Sequence, residues 1–477
     1  MNTGVKERER IYSDTEILMQ KELDEAMVKE RWEAVESGLC KMTSQKNASD
    51  IISALKEMYS LYKDEAVAWY ANLYDPKHGG FYYSNSARDN DEVECEGKIY
   101  KLLPDLESTN QSFSFIASSH MADKFGKDVT KALPEWMKEQ IVPFVKNMQD
   151  KETGYFYHPQ WGKERADKWT NRRGRDLTWA TRLLEDYGES PLYNTPLEER
   201  SEDKKSGGTA TAENLKDKES FLAFLNSLGF DSKNAYSAYV VGNKLEAQAL
   251  EICARDRELE KEGVDYRLLT VMKEWLDERF NPATGAWTEA EFSHDTVNGI
   301  LKISSTYMRA GLTLPDPILS IKAAIRCVTI DQEPEHVCCV LNPWYALNTI
   351  VSSIRRTYGE DGNMLGTLEQ IQREVLKSYP EMIRKTTENL KLFLKEDGSF
   401  SYFHKRSSHY SQMMPVALPN TNEGDMNASM ICTVAIPSHI FNYLGICSVP
   451  IYTESDRMRL VNILIKRNKA LKEGEEG

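Results

Sequence analysis

The sequence predicts an all-helical protein built from six helical hairpins arranged in a ring, with extra helices at both ends. Three observations predict it. Long segments such as "ASDIISALKEMYSLYKDEAVAWYANLY" and "DYRLLTVMKEWLDERF" carry apolar residues at helical spacing, whereas alternating runs are short, the best being "GFYYS". A turn of one recipe recurs as "DPKHGGF" (75–81), "DKETGYF" (150–156), "NPATGAW" (281–287) and, in a shorter form, "EDGSF" (396–400). An acidic or amide residue, a spacer, a glycine, any residue and then an aromatic ends a helix, turns at positive φ and tucks a ring beneath the turn. Finally, helix-like segments alternate with such turns along the whole chain, and units that cannot bury an apolar face alone stack into one shared core.

Taking each glycine turn as a link gives hairpins at about 50–74 with 105–124, 134–149 with 175–187, 265–280 with 295–311, and 370–395 with 427–444. Two more lack the turn and keep the period: "ESFLAFLNSLGF" with "NAYSAYVVGNKLEAQALEICARD", and "DPILSIKAAIRCVTI" with "HVCCVLNPWYALNTIVSSIRRTY". The first helix of each pair has a charged face and suits the outside. The second is richer in small, aromatic and amide residues and suits a crowded interior. The sequence divides into an N-terminal helical extension (1–49), the ring (50–447) and a C-terminal helix and tail (448–477). Within the ring, "NTPLEERSEDKKSGGTATAENLKDK" (194–218) is polar and poor in apolar residues, so it reads as a mobile surface linker or a lid.

Composition narrows the partners. A net charge of −14 over 477 residues argues against a nucleic-acid or anionic-membrane binder held by overall charge. No stretch of eighteen uninterrupted apolar residues and no signal-peptide pattern is present, so a cytoplasmic location is expected. The eight cysteines lack CxxC spacing and read as reduced core thiols rather than disulfides or zinc ligands, and neither metal nor cofactor is expected. Oligomeric state is not legible.

By hairpin count and glycine-aromatic turn, residues 50–445 resemble the (α/α)6 toroids, or six-hairpin proteins. That architecture serves glycoside hydrolases and polysaccharide lyases on one side, and terpenoid cyclases and prenyltransferase β-subunits on the other. The turn is also similar to the Q-x-x-x-G-x-W repeat of squalene-type cyclases, without its leading Gln. Neither DDxxD nor DxDD occurs, no Asp-x-Cys suggests a prenyltransferase zinc site, and GxxxxGK[ST], GxSxG and HExxH are also missing. The resemblance therefore implies carbohydrate chemistry, and the unsaturated-uronyl hydrolases within the group imply hydrolysis.

In a ring of this kind the second helices begin at one end, where their N-termini and preceding loops converge on a concave site. The first start, "PDLESTNQSF", offers Asp105 as a cap, with Glu107 and Gln111 one turn apart. The second, "KWTNRRGRDLTWATRLL", packs Trp169, Arg172, Arg173, Arg175, Asp176 and Trp179 into eleven residues. Arginine forks bind carboxylate or sulfate, and tryptophan faces stack on sugar rings; a surface ion-pair network capped by Asp176 is the plainer reading. The third start offers Tyr236 and Tyr239, and the fourth His294, Asp295 and Asn298. The fifth brings His336, Asn342, Trp344 and Tyr345, with Pro343 expected to break the helix locally. The sixth brings His404, Arg406, His409, Tyr410, Asp425 and Asn427 on a long loop.

Glycoside hydrolysis needs a protonated carboxylic acid beside the leaving oxygen and a carboxylate that activates water or attacks carbon. Asp176 and Asp295 are the expected pair, Glu107 the reserve, and Arg173 or Arg175 the partner of an acidic, uronate-type substituent on an oligosaccharide. The alternative is β-elimination, with Asn298, His294 and Arg175 neutralising the uronate and Tyr410 or His294 moving the C5 proton. A third reading is a non-catalytic toroid that binds oligosaccharide or protein.

Overall fold

The computed structural model describes residues 9–197, 211–359 and 361–475, and these are mostly helical. An N-terminal helix, Asp14–Cys40, starts at a capping box in which the Ser13 side chain meets the Glu16 N–H and Glu16 reaches back to Ser13. Six helix pairs follow. In the first, Gln45–Tyr59 and Glu65–Asn72 precede the second helix Leu106–Ser118. The next four are Trp136–Lys146 with Thr170–Asp186, Lys218–Asn226 with Ala235–Lys261, Leu268–Asp277 with His294–Ala310, and Pro317–Val328 with Val337–Thr357. In the sixth, Gly362–Lys391 is followed by Met426–Met430, a π-helical turn Ile431–Ala435, and Ile436–Leu444. A C-terminal helix, Glu454–Glu475, packs on Glu65–Asn72 and on the N-terminal helix.

Each second helix packs against the next along the chain, and the sixth packs against the first. Glycines let neighbours approach closely: a Cβ on Gly174 of the second would meet the Ala247 carbonyl oxygen of the third, one on Gly242 of the third would come within 2.7 Å of Lys302 Cβ, and one on Gly299 of the fourth within 2.8 Å of Ala238 Cβ. The apolar core falls into two large clusters, one formed mainly by the first two pairs and the other mainly by the last four, and a small third one of Tyr12, Met458 and Val461.

All four glycine turns adopt positive φ, at Gly79, Gly154, Gly285 and Gly398 (70–83°). Each is closed by an antiparallel bridge, Tyr74 with Phe81, Gln149 with Phe156, Asn281 with Ala286 and Leu394 with Phe400. Phe81, Phe156, Trp287 and Phe400 are buried beneath the turns, which contributes about 1.5–3 kcal/mol for each ring. The glycines also carry the contact between pairs. A Cβ on Gly285 would lie 2.6 Å from the Leu319 backbone of the fifth pair, and one on Gly398 would lie 3.0 Å from the Ala66 backbone of the first. The last turn therefore docks on the first pair.

Several boundaries differ from expectation. The first pair begins at Gln45, five residues before the boundary at 50, and the second helix of pair two begins at Thr170, so Asp176 lies inside that helix and caps nothing. Pro343 does not break its helix: Val337–Thr357 is continuous, its proline and the neighbouring Leu341, Asn342 and Trp344 all buried. Losing one intrahelical hydrogen bond is tolerated where flanking packing holds the backbone. The same helix is long and apolar enough to cross a membrane, but most of it is buried against its neighbours. Of the linker, 198–210 lies outside the described residues; its flanks are packed, with Asn194 and Thr195 under Gly154 and Leu215 in the core.

Candidate functional site

Arg172 and Asp176 stand one helical turn apart in Thr170–Asp186 and so emerge on one face. Arg172 is fully buried and meets three carboxylates: Nε donates to Asp176 Oδ1 (2.9 Å), Nη1 to Glu107 Oε2 (2.8 Å) and Nη2 to Asp105 Oδ1 (3.2 Å). Asp105 also caps its helix through the Ser108 N–H (3.1 Å). The rings of Trp161 and Trp179 flank the guanidinium at 4.8 and 5.4 Å.

One cation among three buried carboxylates leaves negative charge in excess. Burial pushes the Asp176 carboxyl up to about 7 against the pull of Arg172, with Asp105 and Glu107 adding to the rise. Glu107 is raised for the same reasons, burial first. Asp176 Oδ2 is buried with no hydrogen-bond partner. The centre thus retains protons near neutrality, the property a general acid requires.

Beside it lies a pocket of about 490 Å³ lined by Trp169, Tyr236, Tyr239, Asn243, Tyr402 and Tyr410, among others. A short hairpin, Tyr410–Ser411 with Met414–Pro415, forms part of its wall. The Ser411 hydroxyl donates to Glu107 and so links pocket to buried centre. Gln412 Oε1 accepts from Asn171 (2.8 Å) and Asn243 (3.1 Å), while Arg165 holds the Met413 carbonyl (2.7 Å). The two turn residues, Gln412 and Met413, both have positive φ (49° and 68°), a conformation that side chains disfavour. Tyr410 Oη lies 2.7 Å from Cys95 Sγ, and this hydrogen bond is the main cause that pushes the phenol up to about 12. Asn427 lines the pocket and accepts from Gln111 (2.8 Å). Asp425 is buried as the cap of Met426–Met430, accepting the N–H groups of Ala428 (2.9 Å) and Tyr402 (2.7 Å); burial pushes its carboxyl up to about 7.

A third group adjoins Tyr236. Asp295 Oδ1 accepts from Asn298 (3.2 Å), whose own carbonyl oxygen accepts from Asn342 (2.7 Å). Burial lowers the His294 and His336 imidazoles, with Asp295 opposing it in both. Both rings therefore favour the neutral form. His336 also stacks on Tyr402 (5.2 Å).

The remaining candidates do not line the pocket. Trp344 is fully buried, its Nε1 donating to Thr386 (3.0 Å). Arg173 pairs with Asp167 (3.0 Å) and lies over the Tyr155 ring. Arg175 turns to Glu246 on the next second helix. Sequence reasoning missed Trp161, Glu246, Ser411 and Gln412. Glu246, in "GNKLEAQALEIC", shares its stretch with Lys244 and Glu251, so residue type alone did not mark it.

A larger hollow, about 790 Å³, lies elsewhere, between the N- and C-terminal helices. Its charges form surface pairs such as Lys21–Asp64, and at its base Asp24 and Asp456 both accept from the Thr453 hydroxyl (2.7 and 3.4 Å). Among the described residues no group of three or more His, Cys, Asp or Glu is placed to hold a metal ion. No family model, curated protein or solved structure matches this chain.

Proposed function

We propose that the helix pairs form an (α/α)6 toroid whose second helices line its axis, and that this toroid hydrolyses a glycosidic bond in an acidic, uronate-containing oligosaccharide. The supporting observation is the Arg172 centre, where three buried carboxylates share one guanidinium and Asp176 is pushed up to about 7. In this reading Asp176 gives its proton to the leaving oxygen, with Glu107 behind Ser411 as its reserve. Asp295, next to two neutral imidazoles and Tyr236, activates water or attacks the sugar carbon. Trp169, Tyr236 and Tyr239 offer ring faces to the saccharide. The cyclic packing of the six second helices and the docking of Gly398 on Ala66 support the toroid.

The test is a screen of the purified protein against uronate-containing and neutral oligosaccharides, followed by reducing-end release and by the ultraviolet absorbance of an unsaturated product. New reducing ends without absorbance, abolished in a folded Asp176→Asn variant, support hydrolysis; turnover that survives Asp176→Asn removes Asp176 from the mechanism.

One observation favours β-elimination as the second reading. Tyr410, His409 and Arg406 stand in the pocket wall, whereas Asp176 stands behind it. A phenol raised to about 12 keeps its proton, so Tyr410 would protonate the leaving oxygen and His409 would take the C5 proton. Rising absorbance, lost in Tyr410→Phe, would select this reading.

A further inference from the structure

A second charged centre on the second helices has the opposite composition. Glu246 is buried and receives Arg175 Nη2 and Arg309 Nη2, each at 2.6 Å, with Lys302 Nζ at 3.6 Å. The three cations come from the second and fourth pairs and converge on the third. One carboxylate neutralises one of them, so three cations less one anion leave a formal surplus of two positive charges. Of the other carboxylates, Glu107 feels Arg175 but is already held by Arg172 and Ser411, and Asp256, in the hollow that Arg309 lines, is held by Arg267. The strain of this arrangement is visible: burial is the main cause that lowers the Lys302 ammonium, with Arg175 and Arg309 adding to it and Glu246 opposing. Arg175 Nε is buried with no partner.

The side chains of Arg175, Lys302 and Arg309 keep 17, 15 and 30% of their surface exposed, against 4% for Glu246, and Arg309 lines a second hollow with Asp256, Arg257 and Arg267. The centre also adjoins the pocket, because Asn243 lines the pocket and accepts from Arg175 Nη2 (2.8 Å). A buried ion network built only for stability approaches charge balance. This one does not, in a chain whose overall charge is −14.

We propose that Arg175, Lys302 and Arg309 form a binding site for a compact oxyanion, a carboxylate or a sulfate- or phosphate-type group carried by the ligand of the adjoining pocket. Two guanidinium forks and one ammonium supply the directed donors and the point charge that such groups take. Glu246 holds the three cations together and competes with the ligand for them. As the seat of the substrate's uronate the site rests on the glycosidase reading; as an anion site it stands without it.

The experiment is calorimetric titration of the full chain with glucuronate, sulfate and glucose, at constant ionic strength set with chloride, paired with thermal melts. Glucuronate or sulfate should bind saturably and raise the melting midpoint, glucose should not, and preference between the two anions identifies the oxyanion. Lys302→Gln should weaken binding by about tenfold. Glu246→Gln removes the internal competitor and should tighten binding by about tenfold while making the melting midpoint more dependent on anion. No saturable binding by either anion, or binding unchanged in Lys302→Gln, overturns the site; if Glu246→Gln does not fold, Lys302→Gln decides alone. Turnover of oligosaccharides without anion binding overturns this site and leaves the hydrolase, whereas anion binding without turnover does the reverse.

Discussion

The Arg172 and Glu246 centres are near mirror images in charge. One sets a cation among Asp105, Glu107 and Asp176; the other sets a carboxylate among Arg175, Lys302 and Arg309. The helix Thr170–Asp186 contributes to both, Arg172 and Asp176 to the first and Arg175 to the second. Only two residues separate Arg172 from Arg175, yet their surroundings oppose each other. The acid-rich centre corrects its imbalance by keeping a proton, because a carboxyl can titrate near neutrality. The two guanidinium groups cannot, so the cation-rich centre keeps a positive surplus even though burial lowers the Lys302 ammonium.

The comparison can be broken most forcefully at Arg172. Arg172→Met strands three buried carboxylates, and a loss of about 3–5 kcal/mol is expected in chemical denaturation. Lys302→Met, which relieves a surplus, should cost about 1 kcal/mol or stabilise. Equal losses would show that the imbalance is not what distinguishes the centres. Next in size is activity: Asp176→Asn keeps the shape and removes the proton donor, so turnover should fall by about 10²–10⁴-fold. A loss no greater than that of a surface variant would move the acid elsewhere.

The pH dependence of stability sharpens the contrast, because the two signs are opposite. Asp176 is raised from 3.8 to about 7, so its favourable contribution is present below 3.8 and is lost as pH rises through about 7. Glu246 is lowered from 4.5 to about 2, so its contribution is present above 4.5 and is lost as pH falls through about 2. Melts of Asp176→Asn should lose slope on the neutral side, and those of Glu246→Gln on the acid side. Asp425, also raised to about 7, leaves a residual neutral slope in the first variant. The smallest effect concerns the hairpin whose Ser411 bonds Glu107, a feature without counterpart at Glu246. Met413→Gly removes a side chain from positive φ and should raise stability by about 0.5–1 kcal/mol; a measured loss would mean that contacts of the Met413 side chain outweigh the backbone strain.

Much of the helical organisation was legible because helical spacing and positive-φ turns are local properties. Gly79, Gly154, Gly285 and Gly398 could be read from their neighbours alone. Trp169, Tyr236, Tyr410 and Asn427, near helix starts or on the sixth loop, were likewise singled out, and all line the pocket. The charged centres were not legible, since each assembles residues far apart in the chain. Asp105 read as a cap, which it is, but its second bond, to Arg172, depends on how two helices cross. Glu246, Lys302 and Arg309 sit within long helices, where isolated charges ordinarily mark a solvated face. Gly242 and Gly299 bring the helices carrying them together, and only that close approach makes one cluster of them.

The docking of Gly398 on the backbone of Ala66 has a consequence for biosynthesis. During translation Ala66 is made more than three hundred residues before Gly398. Until the last turn arrives, the flank of the first pair around Ala66 stays uncovered, as does the face that receives Glu454–Glu475. A nascent chain arrested before Gly398 should therefore expose apolar surface at its amino-terminal end and engage chaperones there, and release should come only when the carboxyl-terminal pair closes against it.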